Sequence, residues 1–393
     1  MYYEKIDINI FIIIYIIITH YIIMNPQFSE ISENDQILKF TLSGINVSLA
    51  NAMRRAILTD IPTVVIRTEN YKDNQCNITT NTSRLHNEIL KQRLSCIPIH
   101  MKELELLPGK YMLECDVKND TDGVIYVTTE DFKIKNKTTG NYLTKEEVRR
   151  IFPPCEKTQS FIDFVRLRPK ISDTIPGEEL KFTADFSVAT AKESSAFNVV
   201  SKCTYGNTPH MEKINEKWQE VEAKIRAHDD VKDSDIEFQK RNFYLLDAQR
   251  IFVADSFDFA IKTVGVYGNR ELVQMVSKGL YEKFVDFTQA IDSDTIPILN
   301  SETTMDNCFD ISLEDEDYTM GKVLEYFIYE KFYMGDKSLS FCGFKKFHPH
   351  DNKSVVRVAF TDGGDKSSVK KVLVEAAMSA QSVFKTLYKS SPM

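Results

Sequence analysis

Ser48-Leu49-Ala50-Asn51-Ala52-Met53-Arg54-Arg55-Ala56-Ile57-Leu58, closed by Ile61-Pro62, is the stretch that decides how this chain folds. Leu49, Ala52, Met53, Ala56 and Ile57 recur at spacings of three and four, the repeat of an α-helix that buries one face. Ser48 offers a side-chain oxygen as N-cap, and Pro62 stops the helix from continuing. Ahead of it, Leu38, Phe40 and Leu42 alternate with Ile37, Lys39 and Thr41, the period of a strand covered on one side, and Gly44 breaks that strand. Behind it, the β-branched run Thr63 to Ile66 predicts another strand.

The same plan returns near the other end. Phe309, Ile311 and Leu313 alternate with Asp310, Ser312 and Glu314; an acidic turn, Glu314 to Asp317, ends the strand. Thr319 is placed to cap a helix in which Met320, Val323, Leu324, Phe327 and Ile328 repeat the spacing of the first stripe. Each half then closes with a β-rich stretch and a long helix. In the first half these are Ile251 to Val266 and Glu271 to about Gln289, with Leu272, Met275, Val276, Leu280 and Phe284 as the stripe. In the second they are Val355 to Phe360, a turn at Asp362-Gly363-Gly364, and Val369 to about Tyr388, with Val372, Leu373, Ala376, Ala380, Val383 and Phe384 aligned. Residues 292–304 link the halves. A helix on a small sheet leaves apolar surface over, and a second half of the same design can cover it, each methylene removed from water contributing about 0.8 kcal/mol. The expected fold is therefore α+β, two sheet-plus-helix halves closing on each other as an intramolecular pseudo-dimer.

Composition narrows the function. A chain of 393 residues with 42% hydrophobic and 27% charged residues is long enough for two or three folded units. Its formal net charge of −8 argues against direct grip on nucleic-acid phosphates, so DNA is expected only indirectly, through partners. Seven scattered cysteines, none in a CxxC pair, fit reduced thiols in an intracellular compartment and speak against a zinc site. No catalytic constellation stands out. Neighbouring acids, Asp292 with Asp294, Asp233 with Asp235 and Glu314 to Asp317, read as solvated turns. Gly363-Gly364 reads as a turn and not as a phosphate loop. His348 and His350 lack further ligands nearby, and Cys342 reads as a buried thiol without a base. No catalytic residue, cofactor, metal or small-molecule substrate is expected. Met211 to Arg241, rich in Glu, Lys and Asp around Trp218, Val221 and Ile225, reads as a charged helix or helical hairpin. Ile6 to Ile23 is nearly all Ile, Tyr and Phe, and admits three readings: a membrane anchor, a signal peptide, or an extension ahead of a start at Met24. The extension is preferred because the low-complexity run stops at that methionine; a membrane-anchored interaction protein is the alternative function.

At these residues the sequence resembles the alpha-like subunits of DNA-directed RNA polymerases: bacterial alpha, the archaeal D and L pair, and the third and eleventh subunits of eukaryotic polymerase II. Ser48 to Leu58 with Ile61-Pro62 is similar to the family's alpha motif. Asn81-Thr82-Ser83-Arg84-Leu85-His86-Asn87-Glu88-Ile89, with Arg93-Leu94 and Ile97-Pro98-Ile99, is similar to the D-type segment that leads into an inserted domain. Asp317-Tyr318-Thr319-Met320-Gly321 and Gly343-Phe344-Lys345, with His348-Pro349 behind, resemble the L-type subunit. D-type then L-type signatures in one chain imply a fused subunit, an arrangement typical of large cytoplasmic DNA viruses, acting in the host cytoplasm, the virion or the nucleus.

The expected partition is a hydrophobic extension (1–23), a first alpha-like half in two parts (24–98 and 243–291), an inserted β-rich domain (99–205), a charged helical insertion (206–242) that the family pattern does not supply, the linker (292–304), and a second half (305–393). The cysteine cluster of some D-type relatives is missing. The implied role is architectural, not enzymatic by itself: a pseudo-dimer, paired through Leu49, Ala52, Met53, Ala56, Ile57, Met320, Val323, Leu324, Phe327 and Ile328, on which the two largest polymerase subunits and small subunits assemble for transcription. Asn51, Arg54 and Arg55, beside the stripe, are the implied docking contacts to the large subunits, since guanidinium groups make bidentate bonds to carboxylates at interfaces.

Overall fold

The structure, a computed structural model, describes residues 24–172, 174–227, 232–302 and 305–391. The run Ile6 to Ile23, and with it the choice among anchor, signal peptide and extension, lies outside the described residues. Among the described residues no helix is long and apolar enough to cross a membrane.

Two compact units result. One holds the residues up to Ala56, Cys203–Ile261 and those from Val273 onward; the other holds Ile57–Lys202 and Lys262–Leu272. Both sequence halves contribute to the first unit, and their sheets have one design. In the first half, β1 (Gln27–Asn34), β2 (Ile37–Ser43), β12 (Phe252–Thr263) and β11 (Val200–Pro209) lie side by side in that order. In the second, β13 (Ile298–Asn300), β14 (Cys308–Glu314), β16 (Lys353–Phe360) and β15 (Leu339–Lys345) do the same. The alternation read from the sequence sets the covered face: Leu38, Phe40 and Leu42 are buried on β2, Ile311 and Leu313 on β14. Phe40 stacks on Phe259 of β12, ring centroids 5.0 Å apart. On β14 and β16, Asp310 and Arg357 face each other in register and form two hydrogen bonds, at 2.6 and 2.7 Å.

Helix α1 (Val47–Thr59) follows β2 as α7 (Tyr318–Ile328) follows β14, and α6 (Asn269–Asp292) follows β12 as α8 (Lys366–Ser390) follows β16. The caps of the two motif helices sit two residues before the expected Ser48 and Thr319. Asn46 accepts the Ser48 N–H at 2.8 Å, and Asp317 accepts the Thr319 N–H at 2.8 Å. Asn and Asp rank with Ser and above Thr as caps, and their side-chain oxygen readily accepts from a backbone donor two residues on. The segment expected as linker also carries structure, because β13 pairs with β14 and Ile298 is buried there. Its partner by position in the first half is β1, a strand too polar to announce itself by periodicity.

The framework shows where extra sequence was accepted. The short β15–β16 connection of the second half is replaced, between β11 and β12, by a helical hairpin of α4 (Met211–Arg226) and α5 (Asp233–Leu245). Ile214, Trp218, Ile236, Phe243 and Ala248 give the hairpin a small core of its own, and the Tyr244 hydroxyl donates to Asn215 at 2.8 Å.

The other unit starts well before residue 99, where the insertion was expected, because β4 (Cys76–Asn81) pairs with β9 (Glu179–Asp185). That sheet runs β4-β9-β5-β7, with β5 (Tyr111–Lys118) and β7 (Lys133–Asn136); β6 (Ile125–Thr128) pairs with β8 (Asp163–Leu167), and β3 (Thr63–Val65) with β10 (Ser187–Ala189). Phe132 sits edge-on to Phe152, Phe164 and Phe182 in the core, which helices α2 (Asn87–Ser95) and α3 (Lys145–Ile151) help close. The D-type signature has local structural work here. Asn81 donates to the Leu85 carbonyl and to Asn87, each at 2.8 Å, and accepts from Ser83, while Arg93 donates to the carbonyls of Phe164 and Asp163 at 2.9 and 2.6 Å.

Candidate pairing and docking site

The two long closing helices bring the halves together. Phe284 of α6 and Phe384 of α8, both fully buried, stack with centroids 5.7 Å apart and planes 14° from parallel. Three residues earlier on α8, the Gln381 amide donates to the Phe284 carbonyl at 3.0 Å and to the Thr288 hydroxyl at 2.8 Å. That amide joins the helices by a polar contact that an aliphatic residue could not make.

The motif helices add charge to this seam. From α1, the Arg55 guanidinium donates through Nε to the Thr319 hydroxyl at 3.0 Å and through Nη2 to the Asp317 carboxylate. The two side chains are each 30% exposed, so the pair is shielded enough to act more strongly than a fully solvated one. Lys283 of α6 meets Glu316 at 2.7 Å, with 25% and 20% exposure. Two acids of the run Glu314 to Asp317 thus hold cations of the other half instead of facing water alone. Reading that run as a solvated turn missed them, although an acid directly before a motif helix is a capping signal.

Every residue expected at the seam lies at 2% exposure or less: Leu49, Ala52, Met53, Ala56 and Ile57 in the first half, and Met320, Val323, Leu324, Phe327 and Ile328 in the second. Gly321 is closed against β15, where an added Cβ would meet the Phe344 ring at 2.0 Å, and Tyr318 sits edge-on to the same ring at 5.3 Å. Two pieces of the L-type signature, Tyr318 to Gly321 and Phe344, therefore pack together. Of the residues expected to dock large subunits, Arg55 is engaged within the chain. Arg54 donates to Asn51 through Nε and Nη2 at 3.1 and 2.9 Å, so those two form a half-buried pair on the flank of α1.

Charge states follow from these contacts. Burial pushes the Asp317 carboxyl up, but the Thr319 N–H and hydroxyl and the Arg55 guanidinium outweigh it and hold the acid below its ordinary 3.8. A depressed acid stabilises the folded chain above its ordinary value, and that contribution is lost as pH falls through the lowered value. The stability gap between the native chain and Asp317→Asn should therefore be about 1–3 kcal/mol near neutrality. It should close on acidification below 3.8, which urea unfolding across pH measures. A gap that does not change with pH would show that Asp317 acts as a cap alone.

Burial, then Glu325, pushes the Cys342 thiol up to about 12; burial pushes Cys203 up to about 12 against the opposing pull of Arg54. Both stay protonated and poorly nucleophilic. The His350 N–H donates to His348 Nδ1 at 3.2 Å, and among the described residues no three His, Cys, Asp or Glu side chains cluster to hold a metal.

Comparison with known proteins agrees with this architecture. A family model described as the RNA polymerase Rpb3/Rpb11 dimerisation domain matches residues 39–284, and a second of the same description matches residues 308–390. Relatives include the DNA-directed RNA polymerase subunit Rpo3 of Methanosphaera stadtmanae, 25% identical over 206 residues, which covers 51% of this chain and 68% of the relative. The Rpo3 subunit of Methanosarcina acetivorans is 39% identical over 94 residues, 24% of this chain and 32% of the relative. Subunit 3 of RNA polymerases II, IV and V of Arabidopsis thaliana is 25% identical over 186 residues, 44% of this chain and 54% of the relative. The aligned spans thus cover between about a third and two thirds of those relatives. With matching models on both sides of the connection between its halves, the chain belongs to the RNA polymerase Rpb3/Rpb11 dimerisation domain family.

Proposed function

We propose that this chain is a non-catalytic assembly subunit of a multisubunit DNA-directed RNA polymerase, in which the paired halves form the platform that the two largest subunits and the small subunits join. The observation that carries this reading is that two dimerisation-family segments of one polypeptide meet through the Phe284–Phe384 stack and the Gln381 bonds. Such a platform supplies surface and geometry, and nucleotide addition falls to its partners. Asn51 and Arg54 are the proposed contacts to a large subunit, since their side chains flank the buried stripe without entering it. The order of the fused halves supports a viral source, with assembly in the host cytoplasm or nucleus.

Affinity purification of the tagged full chain from its native cell tests the function. Both large polymerase subunits should co-purify, and their absence would end this reading. Arg54→Glu should leave the chain folded and lower the recovery of the large subunits by about tenfold or more, the order of effect when a paired interfacial charge is reversed. The Arg54→Glu, Arg55→Glu double variant should lose assembly altogether, because it strikes the pairing seam as well.

A further inference from the structure

Aligning Asn46–Ile57 with Asp317–Ile328 places the two motif helices in register residue for residue: cap on cap, Leu49 on Met320, Ala56 on Phe327. The apolar positions are interchangeable in kind, so hydrophobic burial alone would let like halves of two chains pair. The charged positions are not interchangeable. Arg55 corresponds to Tyr326, Asp317 to Asn46, and Glu316 to Ile45. The cations of the seam, Arg55 and Lys283, come from the first half, and the acids that meet them, Asp317 and Glu316, come from the second.

We propose that this one-sided charge arrangement specifies which half pairs with which, so that first pairs with second and like-with-like association between copies is disfavoured. Two first halves together would set Arg55 against Asn46 twice over, and Glu316 would be replaced by apolar Ile45. Two second halves would leave partly buried Asp317 and Glu316 without their cations. Each wrong pairing removes charge-assisted bonds and leaves shielded charges uncompensated, which is how interfaces reject alternatives that fit sterically. The inference depends on the observed contact between the halves and not on the polymerase reading, so the two can fail separately.

The test uses full-length chains. Arg55→Asp sets an acid against Asp317 across the seam, and Asp317→Arg sets an arginine against Arg55, so each should lose its closed monomer in sedimentation velocity. Refolded together in equal amounts, they should form a mixed one-to-one dimer, because each variant's first half now meets an opposite charge on the other's second half. The mixed species should exceed either self-association by about tenfold or more, the discrimination expected of a charge-assisted pair. The double variant Arg55→Asp, Asp317→Arg should return to a monomer. Asp317→Asn keeps a side-chain cap and removes only the charge; it should raise the fraction of like-with-like dimer and lower the urea midpoint. No mixed dimer, no recovery in the double variant, or an Asp317→Asn chain that matches the native one in both readouts would overturn the proposal.

Discussion

Phe384→Ala should lower the stability of the chain by about 3–5 kcal/mol, the usual cost of emptying a fully buried aromatic site. The ring has no solvent exposure, and it stacks on the equally buried Phe284. The seam around it is built from two helices whose other residues cannot collapse into the gap without breaking the Gln381 bonds to Phe284 and Thr288. Urea unfolding should show the midpoint falling while Met378→Ala, on an exposed position of the same helix, stays within about 0.5 kcal/mol of the native chain. If the two substitutions cost the same, the closing helices contribute no pairing energy, and the pseudo-dimer would rest on the motif helices alone.

Gly321→Ala is the second large effect, and its sign separates packing from propensity. In an open helix, alanine is more favourable than glycine by about 1 kcal/mol. At Gly321 an added Cβ would lie 2.0 Å from the Phe344 ring, which is itself buried and flanked by Tyr318. Something must move, and overfilling a packed contact costs about 1–3 kcal/mol. The variant should therefore unfold at lower urea than the native chain. Adding Phe344→Leu should recover part of the loss, because the shorter side chain makes room for the methyl group. An alanine that stabilises would mean that α7 and β15 do not pack as closely as described.

The two apolar stripes were legible in the sequence because burial on a helix face leaves a spacing, and the strands next to them because a covered sheet face leaves an alternation. The α4–α5 hairpin was legible for a related reason, since Trp218 and Ile214 stand out in a charged segment. β1 was not, because its residues are mostly exposed and polar and owe their conformation to the ladder with β2. β13 is three residues long and gave no periodicity to read. The caps were displaced by two residues because the side-chain choice between Asn46 and Ser48, or Asp317 and Thr319, is settled by where the first backbone donors point. The apolar residues of both stripes could be named as buried in advance, but the partner of Arg55 could not. An arginine beside a stripe reads the same whether it faces water, another subunit or an acid 262 residues away, and only the fold decides among them.

The distance along the chain between the two closing helices also sets a timetable for synthesis. Gln381 lies 97 residues beyond its acceptor Phe284. At typical translation rates of roughly 5–20 residues per second, the first lobe emerges from the ribosome about 5–20 s before the aromatic ring and amide that complete it. During that interval its greasy flank has no mate, and the nascent chain is at its most vulnerable to chaperones, proteases and neighbours on the same message. Once α8 arrives, both lobes exist in a strict one-to-one ratio, with no surplus of either to discard.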